Sequence, residues 1–166
     1  ALKDIFEGYD IIGSNIMGSD PVNFVYRYKI DIGTRDRVKP DMPVVAANNA
    51  LYGRVYSATY TTSVIVPIID ENAGISGWIS KENGGHVNIK GDIRYKERGL
   101  CLIENVSDNV ELVVGDVVET SGLGGIYPKG ILVGVITEIF YDEITNERFG
   151  VLQPYVDFNS ISTVFV

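Results

Sequence analysis

The chain contains one histidine, His86, so any catalytic set that relies on an imidazole base must use it. Ser121, in the turn Thr120-Ser121-Gly122, is the serine that would complete such a set. A serine-type hydrolase needs the imidazole within hydrogen-bond reach of the hydroxyl and a third group that orients the ring. His86 follows Gly84-Gly85 with no orienting group nearby. The sequence therefore favours a solvated turn histidine and no enzymatic activity, with a serine-type hydrolase made of two β-barrels as an alternative.

The glycine-rich segment 121–130 is the stretch that most resembles a ligand-binding loop. A phosphate-binding loop leads directly into a helix, but Pro128-Lys129-Gly130 leads into the strand-like run Ile131-Leu132-Val133. A third glycine in dinucleotide-binding spacing would fall at Tyr127. We therefore predict no nucleotide cofactor and a tight loop on which Ile126 and Tyr127 are exposed to a partner. The partner-facing residues that we predict are Leu123, Gly124, Gly125, Ile126, Tyr127 and Pro128.

Metal-binding and carboxylate chemistry have weak support. The single cysteine, Cys101, lies in an apolar run, and one cysteine with one histidine cannot supply a structural zinc site. The acidic pairs Asp70-Glu71 and Asp142-Glu143 adjoin turn residues, so we expect solvated carboxylates. We predict no metal and no cofactor.

Trp78 is the only tryptophan, and we expect it to pack in a core or at its rim. The alternative is a stacking platform for a sugar. In that case the chain would bind oligosaccharide or peptidoglycan directly, in a groove lined by Trp78 and several of the ten tyrosines.

Composition limits the class of partner. The formal net charge is -8 over 166 residues, and no cluster of Lys and Arg is evident, so nucleic acid is an unfavourable ligand. The apolar residues are rich in Val, Ile and Tyr, and there are 18 glycines. Such a composition is typical of strands joined by tight turns. No run reaches the ~18 apolar residues that a transmembrane helix requires.

Local patterns predict short strands. In the segment 24–32, Tyr28, Ile30 and Ile32 alternate with Lys29 and Asp31, which indicates one buried and one solvated face. Asn48-Asn49 predicts a hairpin turn, because Asn tolerates a positive φ. Residues 1–9 have apolar side chains at helical spacing, which predicts one or two helical turns.

An internal repeat is visible. Residues 38–45, followed by Gly53-Arg54-Val55, resemble residues 112–119, followed by Gly134-Val135-Ile136. The first blocks align at a shift of 74 residues and the glycines at 81, which indicates a longer hairpin loop in the second copy. We predict an all-β fold of two small related β-barrels of about six strands each, with a short N-terminal helical stub. The boundaries that we predict are a stub at 1–9, an inserted barrel at 24–95, and a second barrel formed by 10–20 plus 98–166.

Two sequence blocks carry a resemblance to the bacterial rod shape-determining protein MreC. One spans residues 115–134 and contains the glycine-rich segment; the other spans residues 31–45 and continues into Tyr52-Gly53-Arg54-Val55. Together they extend the resemblance over most of residues 11–166. Asp41 stands where the family usually has Gly, and Asn49-Ala50-Leu51-Tyr52 replaces a Gly-Leu-Val-type hairpin, which questions the local turn geometry.

The resemblance implies a scaffold of the cell-wall elongation machinery that maintains cell shape. It implies a cell-membrane protein with a single-pass anchor and a dimerising coiled coil, of which residues 1–9 would be the end. The two barrels would lie on the extracytoplasmic side, in the periplasm or on the outer face. Its implied partners are further copies of itself, as a dimer or filament, a penicillin-binding transpeptidase and the membrane protein MreD.

Overall fold

The computed structural model describes residues 12–22, 25–158 and 163–166. In these ranges the chain forms twelve strands and two short 3-10 helices, Thr34–Asp36 and Lys96–Arg98. No helix there is long and apolar enough to cross a membrane. The strands are β1 Gly13–Val22, β2 Val25–Ile30, β3 Pro43–Val45, β4 Leu51–Ala58, β5 Ser63–Pro67, β6 Ile75–Ile79, β7 His86–Lys90, β8 Cys101–Glu104, β9 Val117–Thr120, β10 Leu132–Asp142, β11 Glu147–Pro154 and β12 Thr163–Phe165.

The strands close into two barrels of six strands each. Barrel 1 has the order β1-β12-β3-β4-β5-β2, and barrel 2 has the order β10-β11-β8-β7-β6-β9. All the strand pairs are antiparallel. The prediction of an all-β fold with two six-strand barrels is confirmed. The predicted helical stub at 1–9 lies outside the described residues.

The structure divides the strands differently from the predicted boundaries. Barrel 1 uses strands within 13–67 and 163–165, and barrel 2 uses strands within 75–154. Thus β6 and β7 of the predicted 24–95 barrel pair instead with β9 and β8. The crossing segment is 68–74, where Ile68 and Ile69 are buried. Because Asp70, Glu71 and Asn72 follow these isoleucines as in an ordinary turn between strands, the sequence gives no sign that the chain changes barrel there.

The crossing segment is fixed by a buried carboxylate. Asp70 is 1% exposed, and its Oδ2 lies 3.6 Å from Nε of Arg27 on β2. Its Oδ1 accepts a hydrogen bond of 2.8 Å from the backbone N–H of Asn72. The expectation that Asp70 is solvated is therefore wrong, because the carboxylate ties barrel 1 to the entry of barrel 2. A buried charge of this kind requires an opposite charge nearby.

The internal repeat is present in the backbone hydrogen bonds. Asp41 N–H donates to Val55 O over 2.8 Å, and Gly115 N–H donates to Ile136 O over 2.8 Å. These donors are 74 residues apart and the acceptors 81, the shifts found in the sequence. Asp41 has φ 70° and Gly115 has φ 101°. Asp41 therefore adopts the left-handed conformation that glycine takes in the second copy. The turn geometry is thus kept although Asp41 stands where the family usually has Gly.

A glycine on β4 and one on β10 mark the same close approach in each copy. A Cβ on Gly53 would lie 2.0 Å from Val66 O, and a Cβ on Gly134 would lie 2.3 Å from Gln153 O. Neither position can accept a side chain without movement of the neighbouring backbone. The two copies therefore share both the hydrogen bonds of the turn and the close approach of β4 to β5 and of β10 to β11.

The two barrels have equivalent strands in the same order around each barrel, but these strands follow one another along the chain in a circularly permuted order. The run β3-β4-β5-β2-β1-β12 in barrel 1 corresponds to β9-β10-β11-β8-β7-β6 in barrel 2. The strand that comes first along the chain in barrel 2, β6, therefore corresponds to the one that comes last in barrel 1, β12. Strand β6 of barrel 2 follows five strands of barrel 1, and β12 of barrel 1 follows all six strands of barrel 2.

The barrels pack against each other. Val45 and Leu51 of barrel 1 belong to the core cluster of barrel 2. Ala50 forms a parallel bridge with Leu132. The Asn48 side-chain amide donates to Tyr155 O over 3.3 Å, and Asn49 has the predicted positive φ, 67°. The predicted Asn48-Asn49 turn is confirmed, and it lies at this boundary.

Candidate functional site

The structure does not bring Ser121 and His86 together. The Ser121 hydroxyl lies 2.7 Å from Ser76 Oγ and accepts a hydrogen bond of 3.1 Å from Leu123 N–H. The His86 ring instead contacts Trp78 edge-on, with ring centroids 4.8 Å apart. His86 is paired with Trp78, two residues along β6 from Ser76, which corresponds to about 6–7 Å along the strand. This geometry gives the Ser121 hydroxyl a second serine as its neighbour and provides no support for the hydrolase alternative.

The structure also allows the predictions about metal binding and about the packing of Trp78 to be examined. No group of three or more His, Cys, Asp or Glu side chains in the described part of the chain is placed to hold a metal ion. Trp78 is half-buried and packs on His86. It therefore contributes to the rim of barrel 2, as the packing interpretation expected.

The loop 121–130 joins β9 to β10 and is held at its base by Thr120. The Thr120 hydroxyl donates to Pro128 O over 2.6 Å and accepts from Ile131 N–H over 2.9 Å. Gly130 N–H donates to Thr120 O over 3.0 Å. Gly124 and Gly125 have φ values of 86° and 76°, a conformation that other residues rarely adopt. Because these bonds and glycines fix the backbone, the loop presents its apolar side chains in a defined position.

The prediction that Tyr127 is exposed is wrong. Tyr127 is 6% exposed and packs in the core cluster of barrel 2, whereas Leu123 is 57% and Ile126 39% exposed. Burial raises the pKa of the Tyr127 hydroxyl to about 12, and the nearby Arg54 of barrel 1 has a smaller opposing effect on that pKa. Tyr127 is therefore the anchor of the loop, and the exposed apolar surface of the loop is formed by Leu123 and Ile126.

A second exposed apolar surface, which the sequence analysis missed, lies at the other end of β10. Residues 139–142 of β10 pair with 147–150 of β11, mostly beyond the pairs that β11 makes with β8. We call this two-stranded extension, residues 139–150, the arm. Ile144 in its turn is 95% exposed and Tyr141 is 53% exposed. The one available sequence signal is an isoleucine in an otherwise polar turn.

The arm is rigidly built. Phe140 and Phe149 stack across it with ring centroids 5.3 Å apart, and Asp142 Oδ1 accepts a hydrogen bond of 2.9 Å from Ile144 N–H. Arg148 donates to the backbone oxygens of Val110 and Ser107, which fastens the arm to the preceding loop. Glu143 and Glu147 are exposed on the arm, and Glu138 is exposed directly before it. The arm therefore presents an apolar tip with an acidic surround.

A cleft of about 340 Å³ lies where the two barrels meet. Its aromatic walls are Tyr28, Tyr155 and Phe158, and Lys96 and Arg98 lie beside them. Tyr155 is 39% exposed. Tyr28 and Phe158 also pack against Tyr52 in the core of barrel 1, with ring centroids 5.5 and 5.0 Å from it, and Trp78 does not line the cleft.

Comparison with known proteins relates both barrels to one family. Residues 16–166 match the family model described as rod shape-determining protein MreC, barrel core. The cell shape-determining protein MreC of Bacillus subtilis (strain 168) is 29% identical over 164 residues, which cover 95% of this chain and 57% of that relative. The chain thus spans little more than half the length of the curated relatives it matches.

Solved structures of MreC proteins have the same fold as this chain. MreC from Pseudomonas aeruginosa has a TM-score of 0.84 at 25% identity, with 95% of this chain and 99% of that chain covered. A structure of a complex between penicillin-binding protein PBP2 and MreC from Helicobacter pylori has the same fold, with a TM-score of 0.71 at 15% identity and coverage of 94% and 96%. Since the family model covers most of its residues, this chain belongs to the MreC family of rod shape-determining proteins.

Proposed function

We propose that this chain is a non-enzymatic scaffold of the cell-wall elongation machinery, which maintains cell shape by holding wall-synthesis proteins together. The observation that carries the proposal is the placement of exposed apolar side chains at both ends of β10 in a chain of the MreC family. β10 has 11 residues, so its ends are up to about 35 Å apart. That separation suits a rigid spacer between two bound proteins.

The loop 121–130 is the surface that we assign to a penicillin-binding transpeptidase. Its backbone is fixed by the hydrogen bonds of Thr120, so docking Leu123 and Ile126 into an apolar groove costs little conformational entropy. The residues predicted from sequence, 123–128, remain the proposed contact, with Tyr127 as the anchor beneath it. The likeness to the Helicobacter pylori MreC, which is found in a complex with PBP2, supports this class of partner.

The arm is the surface that we assign to a second protein of the machinery. Its fully exposed Ile144 fits an apolar pocket, and Glu143 and Glu147 favour a partner with basic residues around that pocket. Salt should therefore weaken binding at the arm more than at the loop 121–130, which has no acidic residue.

The remaining features of the proposal follow from the family. They are self-association as a dimer or filament, an interaction with the membrane protein MreD, and a single-pass anchor with these barrels on the extracytoplasmic side. Direct binding of peptidoglycan in the cleft is the second candidate, favoured by Tyr28, Tyr155 and Phe158 on its walls.

The test is titration of a purified transpeptidase ectodomain with this chain, followed by sedimentation. We expect a mixed complex that Ile126→Asp weakens at least tenfold and that Ile144→Asp leaves intact. The Ile144 variant is the matched control, because it places the same charge on an exposed isoleucine of the same barrel. Loss of the complex in the Ile144 variant alone would contradict the assignment of the loop. A complex that survives both changes would contradict transpeptidase docking on barrel 2.

A further inference from the structure

Strand β12 closes barrel 1 although all six strands of barrel 2, β6 to β11, separate it along the chain from the rest of barrel 1. Strand β6 occupies the corresponding position in barrel 2 and directly follows five strands of barrel 1. Along the chain, β1–β5 are followed by β6, and β7–β11 are followed by β12, yet β6 closes the barrel of β7–β11 and β12 closes the barrel of β1–β5. The two repeats have therefore exchanged their sixth strands within one molecule. The fold already shows that the closing strand of a barrel need not come from the same repeat.

The two closing strands are held to different extents. β6 has four registered pairs with β7 and three with β9, and both Ile75 and Ile79 are buried. Among the described residues, β12 has three registered pairs with β1 and one with β3, and Val166 beyond its end exchanges two backbone hydrogen bonds with Ile12. Within the three residues of β12, Val164 alone is fully buried, while Thr163 is exposed and Phe165 is half-buried. In the part of the chain that the structure describes, barrel 1 is therefore closed by the smaller of the two attachments.

Departure of β12 would leave two strand edges without partners. Residues 13–15 of β1 and Val45 of β3 would lose their backbone hydrogen bonds, and the cavity filled by Val164 would open. Open strand edges pair readily with another strand. When the chain's own β12 has left, the strand that restores every one of these contacts is the identical β12 of another copy.

We propose that β12 is exchangeable between chains, so that barrel 1 of one copy can be closed by β12 of a second copy. This deepens the self-association in the proposed function and rests on that part of it. In this exchange, β12 of one copy binds between β1 and β3 of the other copy. This binding position is separate from both apolar surfaces of barrel 2. Transpeptidase docking does not depend on it.

Two variants of the full chain, each with one added cysteine besides the buried Cys101, test the exchange. Asn15 and Thr163 are directly opposite in the register, and both are exposed. The mutual hydrogen bonds between Ile12 and Val166 make 15–163 a non-hydrogen-bonded pair, with Cα atoms about 4.5 Å apart, a distance that suits a disulfide. When Asn15→Cys and Thr163→Cys chains are mixed, an interchain disulfide between these positions requires β12 of one chain to lie on β1 of the other.

The mixture is refolded together from urea at several protein concentrations and then oxidised. We expect covalent heterodimers that increase with concentration and exceed, by about tenfold, those from an Asn15→Cys and Thr145→Cys mixture, in which the second cysteine lies on the exposed arm turn. Equal yields from the two mixtures would overturn the exchange.

The double variant Asn15→Cys/Thr163→Cys completes the test. Oxidised in dilute solution before it is unfolded in urea, it should form the bond within one chain, which verifies folding and register. This locked chain should then remain monomeric after the same refolding. Dimers of the locked chain as abundant as those of the unmodified chain would overturn strand exchange. Transpeptidase binding by the locked chain is measured separately, so that failure of the exchange is distinguished from failure of the scaffold proposal.

Discussion

The β3–β4 hairpin of barrel 1 and the β9–β10 hairpin of barrel 2 occupy the same place in the repeat but have turns of very different length. Ala46 N–H donates to Ala50 O over 2.9 Å, and Thr120 N–H donates to Ile131 O over 2.8 Å. Between these equivalent bonds, barrel 1 has residues 47–49 and barrel 2 has residues 121–130. The shift of the internal repeat grows from 74 to 81 at this point.

The difference in turn length shows how many residues are needed to connect the two strands of this hairpin. Three residues connect the strands in barrel 1, and there Asn48 contacts Tyr155 of barrel 2. The longer loop of barrel 2 is therefore not required by the strands. It divides into Tyr127, which packs in the core, and Leu123 and Ile126, which are exposed. Closure, anchoring and partner contact are thus assigned to different residues, and each assignment can be tested.

The largest expected effect is at the anchor. Tyr127→Ala removes a buried aromatic ring from the core cluster of barrel 2 and should lower the free energy of unfolding by about 3–5 kcal/mol. Ile126→Ala, in the same loop, should change it by less than about 0.5 kcal/mol. Urea unfolding followed by circular dichroism measures both. Similar values for the two variants would remove the distinction between anchor and contact residues.

The next effect concerns the close approach between the second strand of each hairpin and the strand that follows it, β4 against β5 and β10 against β11. Gly53→Ala and Gly134→Ala each place a Cβ against a backbone oxygen and should destabilise the fold by about 2–3 kcal/mol. Gly74→Ala is the control, because no atom lies within 4 Å of its Cβ position. If one hairpin tolerates alanine and the other does not, their equivalence fails. Thermal unfolding midpoints are sufficient to show it.

An alkaline titration isolates the Tyr127 hydroxyl. Burial raises its pKa to about 12, whereas the unfolded chain ionises a tyrosine near pH ~10. The folded state therefore keeps a proton that the unfolded state has lost, so stability is complete below pH ~10 and declines up to pH ~12. At pH ~11 this decline should be about 1 kcal/mol smaller in Tyr127→Phe than in the unmodified chain.

Urea unfolding at pH ~8 and pH ~11 gives the comparison. Burial also raises the pKa of Cys101 to about 12, but this contribution is present in both chains and cancels. An equal loss of stability in the two proteins would show that Tyr127 ionises as freely in the folded state as in the unfolded one.

The smallest effect exchanges the turn residues of the two copies. Asp41→Gly should stabilise the chain by about 0.5–1 kcal/mol, because glycine adopts a positive φ without steric cost. Gly115→Asp should destabilise it by about 1 kcal/mol for the converse reason. Changes of the same sign at the two positions would mean that the turns are constrained by different contacts. Chemical denaturation resolves differences of this size.

Much of the fold could be predicted because local patterns and backbone requirements agree. Ile30 and Ile32 are buried while Lys29 and Asp31 are exposed, as the alternation indicated. The repeat was visible because the turn at Asp41 or Gly115 and the close approach at Gly53 or Gly134 restrict residue type.

Three features depend on tertiary contacts and could not be predicted. In the crossing segment 68–74, two isoleucines are followed by Asp70, Glu71 and Asn72, as in an ordinary turn between strands, so the change of barrel is not marked in the sequence. The burial of Tyr127 results from the loop folding back on barrel 2. The arm exists because β10 and β11 are longer than their neighbours β9 and β8, and no local pattern determines that difference.

The most direct test of the account measures stability and partner binding on one variant, Leu123→Ser/Ile126→Ser. Because closure and anchoring reside elsewhere, we expect its free energy of unfolding to stay within about 0.5 kcal/mol of the unmodified chain. Its affinity for the transpeptidase ectodomain should fall at least tenfold. Unchanged affinity, or a loss of affinity accompanied by a comparable loss of stability, would contradict the claim that the residues added to this hairpin serve partner binding.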